Sequence, residues 1–306
     1  MRSFGAAESL VDPALAGDHR AVARLLSHVE ESLSSAARVL ALVADRPRAG
    51  LSVGFVGPPG VGKSSLVTAV VASLLERDRR VVVLANDPSS AQTGGAFLGD
   101  RVRLLELGRD PRLFVRSVAA RDPLRSLNAT TFCAVALLTR LGFDDVVVEA
   151  VGAGQSDLGT SLVADTTVLV LSPGLGDDVQ SLKSGLIEVA DVIAVNKSDL
   201  PDSKRTAADL RQAIKAGPPR DGWAPPVVLV SALERTGIET LADAIAAHRA
   251  EPPTPDGLRQ ELFVDLVLFE ASRRLREHAA RVDVEGVGDT DLIRRALEYV
   301  DAAGVG

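Results

Sequence analysis

One segment of the chain combines glycines, a lysine and two serines at a spacing that suits phosphate binding. The sequence GPPGVGKSS fits the pattern G-x-x-x-x-G-K-[ST]. Its glycines let backbone N–H groups turn toward phosphate oxygens, and the N-terminus of a following helix adds partial positive charge. We expect Lys63 to reach the β- and γ-phosphates of a nucleoside triphosphate and Ser64 to ligate Mg2+; the alternative is a plain glycine-rich turn. The candidate residues are Gly57, Pro58, Pro59, Gly60, Val61, Gly62, Lys63, Ser64 and Ser65.

A second segment, NKSD at Asn196–Asp199, indicates which base the nucleotide carries. The Asp199 carboxylate could accept hydrogen bonds from N1–H and N2–H2 of guanine. Adenine has no such donor pair, and a buried, unpaired carboxylate would cost about 1–3 kcal/mol. We expect Asn196 to hold its loop together and Lys197 to lie along the base or to brace the loop. A backbone N–H of the next segment could meet guanine O6; its residues are Ser231, Ala232 and Leu233. The predicted ligands are GTP and GDP.

Three carboxylates fall between these two segments. Asp87 follows an apolar run, Asp100 lies in FLGDR, and Glu149 ends a second apolar run. Each could reach Mg2+ or the attacking water, and Gly152 is placed to donate its N–H to the γ-phosphate. The alternative is that the three carboxylates are helix caps or turn residues.

Short apolar, β-branched runs must position these residues. Because the runs lack polar alternation, they are typical of strands buried on both faces of a parallel sheet. The predicted strands are 51–56, 80–85, 113–118, 145–150, 167–172, 191–196 and 226–231. The predicted fold is α/β, a doubly wound, mostly parallel P-loop GTPase core with helical N- and C-terminal extensions.

Helical periodicity flanks this core on both sides. Apolar residues at helical spacing predict helix from about Pro13 to Ala49. A proline-rich linker at 250–257 precedes a predicted amphipathic helix, Leu258–Ala280, and a shorter helix, Asp289–Ala303. The predicted division is a helical extension at 1–50, a GTPase domain at 51–249 and a helical arm at 250–306.

Composition limits the functions that remain. The net charge of −7 argues against a general nucleic-acid-binding surface. The single cysteine, Cys133, suits a reducing compartment and a buried apolar position, and no apolar run reaches the ~20 residues that span a bilayer. We therefore expect a cytoplasmic protein with no membrane partner.

Four segments together resemble the MeaB/ArgK family of G proteins over roughly Leu51–Ala247. They are DPSS with TGGAFLGDR, VVVEAVGAGQSD, GDDVQSLKSG and NKSD. Ordinary Ras-like GTPases have D-x-x-G where this chain has E-x-x-G. The chain departs from the family pattern at Asn86, where an apolar residue is usual, and at Ala150, where threonine is usual.

The resemblance implies a GTP-hydrolysing chaperone with slow intrinsic turnover. Such proteins gate cofactor loading of an adenosylcobalamin-dependent acyl-CoA mutase and protect the mutase from inactivation; the chaperone itself is not expected to bind cobalamin. Asp177, Gln180 and Lys183, within Gly176–Gly185, would couple nucleotide state to the mutase. The alternative for this segment is a surface helix. The arm at 250–306 matches weakly, and in the family this region makes a homodimer.

Two other functions remain open at this point. A nickel-type maturation GTPase would share the fold but needs Cys or His clusters, and the four histidines here are scattered. A nucleotide-dependent scaffold would bind GTP without useful hydrolysis. The residue that activates water is unassigned, with Gln155 as one candidate.

Overall fold

Seven parallel strands form one sheet in the computed structural model, which describes residues 4–87, 107–119, 126–150, 159–161, 163–174, 186–216 and 223–249. The strand order is β3-β2-β4-β1-β5-β6-β7, and every neighbouring pair is parallel. The strands are β1 (Leu51–Val56), β2 (Val81–Asp87), β3 (Leu113–Ala119), β4 (Asp145–Glu149), β5 (Thr166–Leu171), β6 (Val192–Val195) and β7 (Val227–Leu229). The predicted fold class is confirmed.

Eight helices have both ends within the described part of the chain. They are α1 (Phe4–Leu15), α2 (His19–Glu31), α3 (Leu33–Ala41), α4 (Lys63–Glu76), α5 (Ser126–Leu138), α6 (Leu186–Val189), α7 (Ser203–Ala216) and α8 (Ile238–Arg249). None of these helices is long and apolar enough to cross a membrane.

The helical stretch predicted from about Pro13 to Ala49 is divided into separate helices, because two new helix starts interrupt it. The Asp18 side chain accepts hydrogen bonds from the backbone N–H of Arg20 at 2.8 Å and of Ala21 at 3.3 Å, so that α2 starts anew. The Ser32 hydroxyl accepts from the N–H of Ser35 at 3.1 Å and starts α3. These side chains satisfy N–H groups that have no partner within the helix.

Two of the hydrophobic clusters cover opposite faces of the sheet. Successive side chains of β2 point to opposite faces: Val82 and Leu84 join one cluster, and Val81 and Val83 join the other. The first cluster is shared with α1, α2, α3 and α5, and the second with α4 and α8. Strands buried on both faces explain why their sequences lack polar alternation.

Cys133 belongs to the first of these clusters, on α5. Burial raises the pKa of its thiol to about 11, because the low-dielectric surroundings disfavour the thiolate. The buried position expected for Cys133 is thus confirmed. The division into 1–50, 51–249 and 250–306 stays a prediction, and the last range lies outside the described residues.

Candidate functional site

The candidate residues collect at the carboxyl ends of the parallel strands. The glycine-rich segment follows β1, Glu149 ends β4, and Asn196 follows β6. The central strand β1 lies between β4 and β5, with the remaining strands added outward on each side. In open α/β sheets this crevice is where ligands bind.

Three glycines shape the loop between β1 and α4. Gly57, Gly60 and Gly62 have φ values of 141°, 79° and 88°, a region that favours glycine. A Cβ on Gly57 would lie 2.2 Å from the carbonyl oxygen of Val170 in β5, so that no larger residue fits there. Because α4 begins at Lys63, the loop presents the positive end of a helix to the crevice.

The Lys63 side chain folds back over this loop. Its Nζ donates to the carbonyl oxygens of Gly57 at 2.5 Å and Pro58 at 3.0 Å, and the residue is buried. The ammonium group is thus fixed against the loop by backbone carbonyls. Phosphate oxygens arriving there would meet a cation whose position is already set.

Ser64 and Glu149, the two predicted Mg2+ ligands that the structure describes in full, are in direct contact. The Ser64 hydroxyl donates to Glu149 Oε1. The contact follows from the sheet, because Glu149 is paired in register with Phe55 of β1, just before the loop that leads to α4. A hydroxyl and a carboxylate oxygen therefore converge at the start of α4.

Several predicted residues lie only partly, or not at all, in the described region. The backbone of Asp87 ends β2, next to β4, while its side chain is not described. The others lie outside the described residues: Asp100, Gly152, Gln155, Asp177, Gln180 and Lys183. Their roles stay predictions.

Asn196 connects three loops of the site. Its side-chain amide donates to the Val61 carbonyl at 2.9 Å and to the Gly62 carbonyl at 3.3 Å. Its side-chain oxygen accepts from the backbone N–H of Ala232 at 3.1 Å. One buried side chain thus holds the phosphate-loop candidate against both base-site segments.

Lys197 and Asp199 add further hydrogen bonds between the same three loops. Lys197 adopts a positive φ of 57° and donates from Nζ to the Gly60 carbonyl at 2.7 Å. Asp199 Oδ1 accepts from the hydroxyl of Ser231 at 2.7 Å, which fixes the carboxylate's orientation. Leu233 is 77% exposed beside this site.

The role of Thr236 was missed by sequence reasoning. The strand predicted at 226–231 ends at Leu229, because Ser231 instead pairs with Thr236 in an antiparallel bridge. The Ser231 N–H donates to the Thr236 carbonyl at 3.0 Å, and the Thr236 N–H donates back at 3.1 Å. This tight turn aims the Ser231 hydroxyl at Asp199. Gly237, at φ 71°, is the one sequence signal of the turn.

Comparison with known proteins decides the family. A family model described as methylmalonyl-CoA mutase-associated GTPase MeaB matches residues 22–266, which include every loop of the site. The chain belongs to the MeaB family. As a member of that family with a P-loop GTPase fold, it is a GTPase that binds guanine nucleotide.

Relatives of this MeaB-family chain agree with that assignment. A Pyrococcus abyssi protein named a candidate GTPase is 40% identical over 245 residues, which cover 79% of this chain and 76% of the relative. The mitochondrial methylmalonic aciduria type A homolog of Mus musculus is 37% identical over 197 residues. That match covers 63% of this chain and 48% of the mouse protein.

Solved structures support the fold. The crystal structure of an LAO/AO transport system kinase superimposes with a TM-score of 0.69 at 22% identity, and covers 97% of this chain and 98% of that chain. HypB from Helicobacter pylori, solved in complex with nickel, gives a TM-score of 0.50 at 18% identity. The match covers 72% of this chain and 96% of the HypB chain. At these identities the likeness shows the fold alone, so that nickel chemistry is not transferred to this MeaB-family chain.

Proposed function

We propose that this chain uses Mg2+-dependent GTP hydrolysis to gate cofactor loading of an adenosylcobalamin-dependent acyl-CoA mutase and to protect that mutase from inactivation. The observation that carries the proposal is the mutase-associated family model, which matches across the whole described nucleotide site. The mouse relative, named for methylmalonic aciduria type A, supports the same class of client. We further propose a cytoplasmic homodimer that binds neither nucleic acid nor cobalamin itself.

The donor set at the start of α4 fits Mg2+. The ion prefers oxygen ligands and keeps several waters, so that one hydroxyl, one carboxylate and two phosphate oxygens would suffice with water. Ser64 supplies the hydroxyl and Glu149 the carboxylate, and the two are already in contact. When bound, Mg2+ would neutralise charge on the β- and γ-phosphates. In this proposal Lys63 and the loop N–H groups hold the same phosphates, and Asp199 holds the base.

Replacing Glu149 with glutamine should raise the Mg2+ concentration needed for GTP hydrolysis. The amide keeps an acceptor oxygen for Ser64 but removes the negative charge that would attract the ion. The shift should be at least the roughly tenfold that loss of an outer-shell partner costs, while GDP affinity without Mg2+ changes little. Phosphate release measured across a Mg2+ series tests this. Glu8→Gln, which removes one exposed carboxylate on α1, is the matched control; equal Mg2+ dependence in both variants would remove Glu149 from the metal site.

The segment that we propose to couple to the mutase follows β5. One described range of residues ends at Gly174, after β5, and the next begins at Leu186, the first residue of α6. Because β5 is the immediate neighbour of β1, the carboxyl end of β5 lies beside the strand end that leads into the phosphate loop. Asp177, Gln180 and Lys183 are the proposed coupling residues.

Lys183→Ala should separate partner stimulation from intrinsic hydrolysis. We expect intrinsic turnover to stay near the wild-type rate and mutase-stimulated turnover to fall at least about fivefold, the lower range of allosteric coupling. Lys215→Ala, an exposed lysine at the end of α7, is the control. Equal stimulation of Lys183→Ala and wild type would refute the coupling role.

The proposed function is tested by single-turnover GTP hydrolysis with and without purified adenosylcobalamin-dependent acyl-CoA mutases from the same cell. We expect one mutase to accelerate phosphate release and to bind the GTP-analogue and GDP forms with different affinities. Hydrolysis that no mutase changes would overturn the chaperone proposal. No phosphate release under either condition would favour a scaffold that binds GTP without useful hydrolysis.

A further inference from the structure

Gly237 packs against the backbone that follows β7. It is the last residue before α8, which begins at Ile238. A Cβ on Gly237 would lie 2.2 Å from the carbonyl oxygen of Leu229 and 3.3 Å from the Cα of Val230. The first of these distances is far below the van der Waals separation of about 3.5 Å. Any larger residue at this position would therefore have to displace the backbone after β7.

The backbone that Gly237 touches also holds the NKSD segment in place. The Val230 N–H donates to the Val195 carbonyl at 2.9 Å, and the Val230 carbonyl accepts from the Ser198 N–H at 3.0 Å. Ser198 directly precedes Asp199 in the chain. A displacement of Val230 would therefore be passed on to the residues that carry the Asp199 carboxylate.

The turn between β7 and α8 makes two further contacts with the same segment. The Ser231 hydroxyl donates to Asp199 Oδ1 at 2.7 Å, and the Ala232 N–H donates to the side-chain oxygen of Asn196 at 3.1 Å. The Ser231 hydroxyl in turn accepts from the Glu234 N–H at 3.2 Å, which fixes its orientation within the turn. The direction of the Asp199 carboxylate thus depends on where the backbone after β7 lies.

We propose that Gly237 is a positioning residue for guanine recognition, an inference that rests on the proposed role of Asp199 as the acceptor for the base. Because Gly237 has no Cβ, the backbone of Val230 can lie where Ser198 and Ser231 hold the carboxylate in line with N1–H and N2–H2 of guanine. A Cβ would shift that backbone and misalign the carboxylate. Hydrogen bonds weaken steeply with misalignment, so that selectivity for guanine would be lost.

The contacts that hold the phosphate loop lie elsewhere in the site. Lys63 is fixed by the carbonyls of Gly57 and Pro58, between β1 and α4. The Asn196 amide reaches the Val61 carbonyl from the end of β6. A change at Gly237 should therefore act on base selectivity more than on phosphate binding.

Competition between GDP and inosine diphosphate tests the proposal, with Gly237→Ala compared with Gly17→Ala. Hypoxanthine lacks only the N2 amino group of guanine, so that the ratio of the two affinities reports the alignment of Asp199. Gly17 and Gly237 have positive φ values of 92° and 71°, so that both variants carry backbone strain. A Cβ on Gly17, however, would meet only the Arg80 guanidinium, at an ordinary 3.7 Å.

We expect wild type and Gly17→Ala to bind GDP about tenfold or more tightly than inosine diphosphate, as one hydrogen bond to a charged group provides. In Gly237→Ala this ratio should fall to about threefold or less, with a smaller change in the affinity for inosine diphosphate. A loss of selectivity in Gly17→Ala equal to that in Gly237→Ala would overturn the proposal, because backbone strain alone would then explain both.

Gly237→Asn keeps the test decisive if Gly237→Ala folds poorly. Asparagine adopts a positive φ more readily than alanine but carries the same Cβ, so that it should lose the same selectivity. Wild-type selectivity in either folded variant overturns the role of Gly237. If Asp199→Asn shifts base preference in the same assay, only that role is rejected. If Asp199→Asn leaves the preference unchanged as well, the base site itself is wrong.

Discussion

Replacing Lys63 with alanine is expected to abolish useful nucleotide binding. Two backbone carbonyls, of Gly57 and Pro58, fix the Lys63 Nζ, so the cation is held where we expect the phosphates to bind. Hydrogen bonds to charged groups are worth about 1.5–3 kcal/mol each. Losing two hydrogen bonds from Nζ to phosphate oxygens would therefore weaken nucleotide binding about a hundredfold or more. Calorimetric titration of GDP and of a GTP analogue measures the loss.

The control for this variant is Lys204→Ala, which removes an exposed lysine from α7. Lys204→Ala should unfold near the wild-type temperature because the side chain is exposed, whereas Lys63→Ala also loses two hydrogen bonds to backbone carbonyls. Affinities are therefore compared at a temperature at which both variants are folded. Lys63→Ala that binds GDP as tightly as Lys204→Ala would refute the assignment of the phosphate loop.

Asp199→Asn is expected to shift base preference from guanine toward xanthine. The carboxylate accepts from the Ser231 hydroxyl at Oδ1, and we propose that it also accepts the two donors of guanine. An asparagine amide would oppose the N2 amino group of guanine but donate to the O2 of xanthine. GTP affinity should fall about a hundredfold, and xanthosine triphosphate should become the better ligand.

Competition between labelled GDP and the two triphosphates measures this preference. Asp202→Asn, an exposed carboxylate nearby in sequence, loses the same charge without the Ser231 contact and should keep the preference for guanine. If Asp199→Asn still prefers GTP by the wild-type margin, the base assignment is wrong.

The strands were predictable because each is a short, nearly continuous apolar run. Burial on both faces leaves this mark in sequence, and the structure confirms all seven strands. The starts of α2 and α3 were missed because Asp18 and Ser32 act through single local hydrogen bonds inside a pattern that otherwise stays helical. A side chain that caps a helix in one context is a surface residue in another.

The sequence segments that form the site could be predicted, but the contacts between those segments could not. GPPGVGKSS and NKSD each have a spacing that matches a function. The hydrogen bond between Ser64 and Glu149 joins residues 85 positions apart, and that between Asn196 and Val61 joins residues 135 apart. Such contacts depend on the strand order of the sheet, which single-sequence patterns do not specify.

The close approach of Gly57 to Val170 means that the phosphate loop and β5 are in direct backbone contact. A single methyl group at residue 57 would collide with the backbone of β5, because the loop and the strand are closely packed at this point. Only a few residues after Val170, the chain enters the segment proposed to contact the mutase. We therefore expect partner binding to that segment and nucleotide binding at the phosphate loop to affect each other across the contact between Gly57 and Val170.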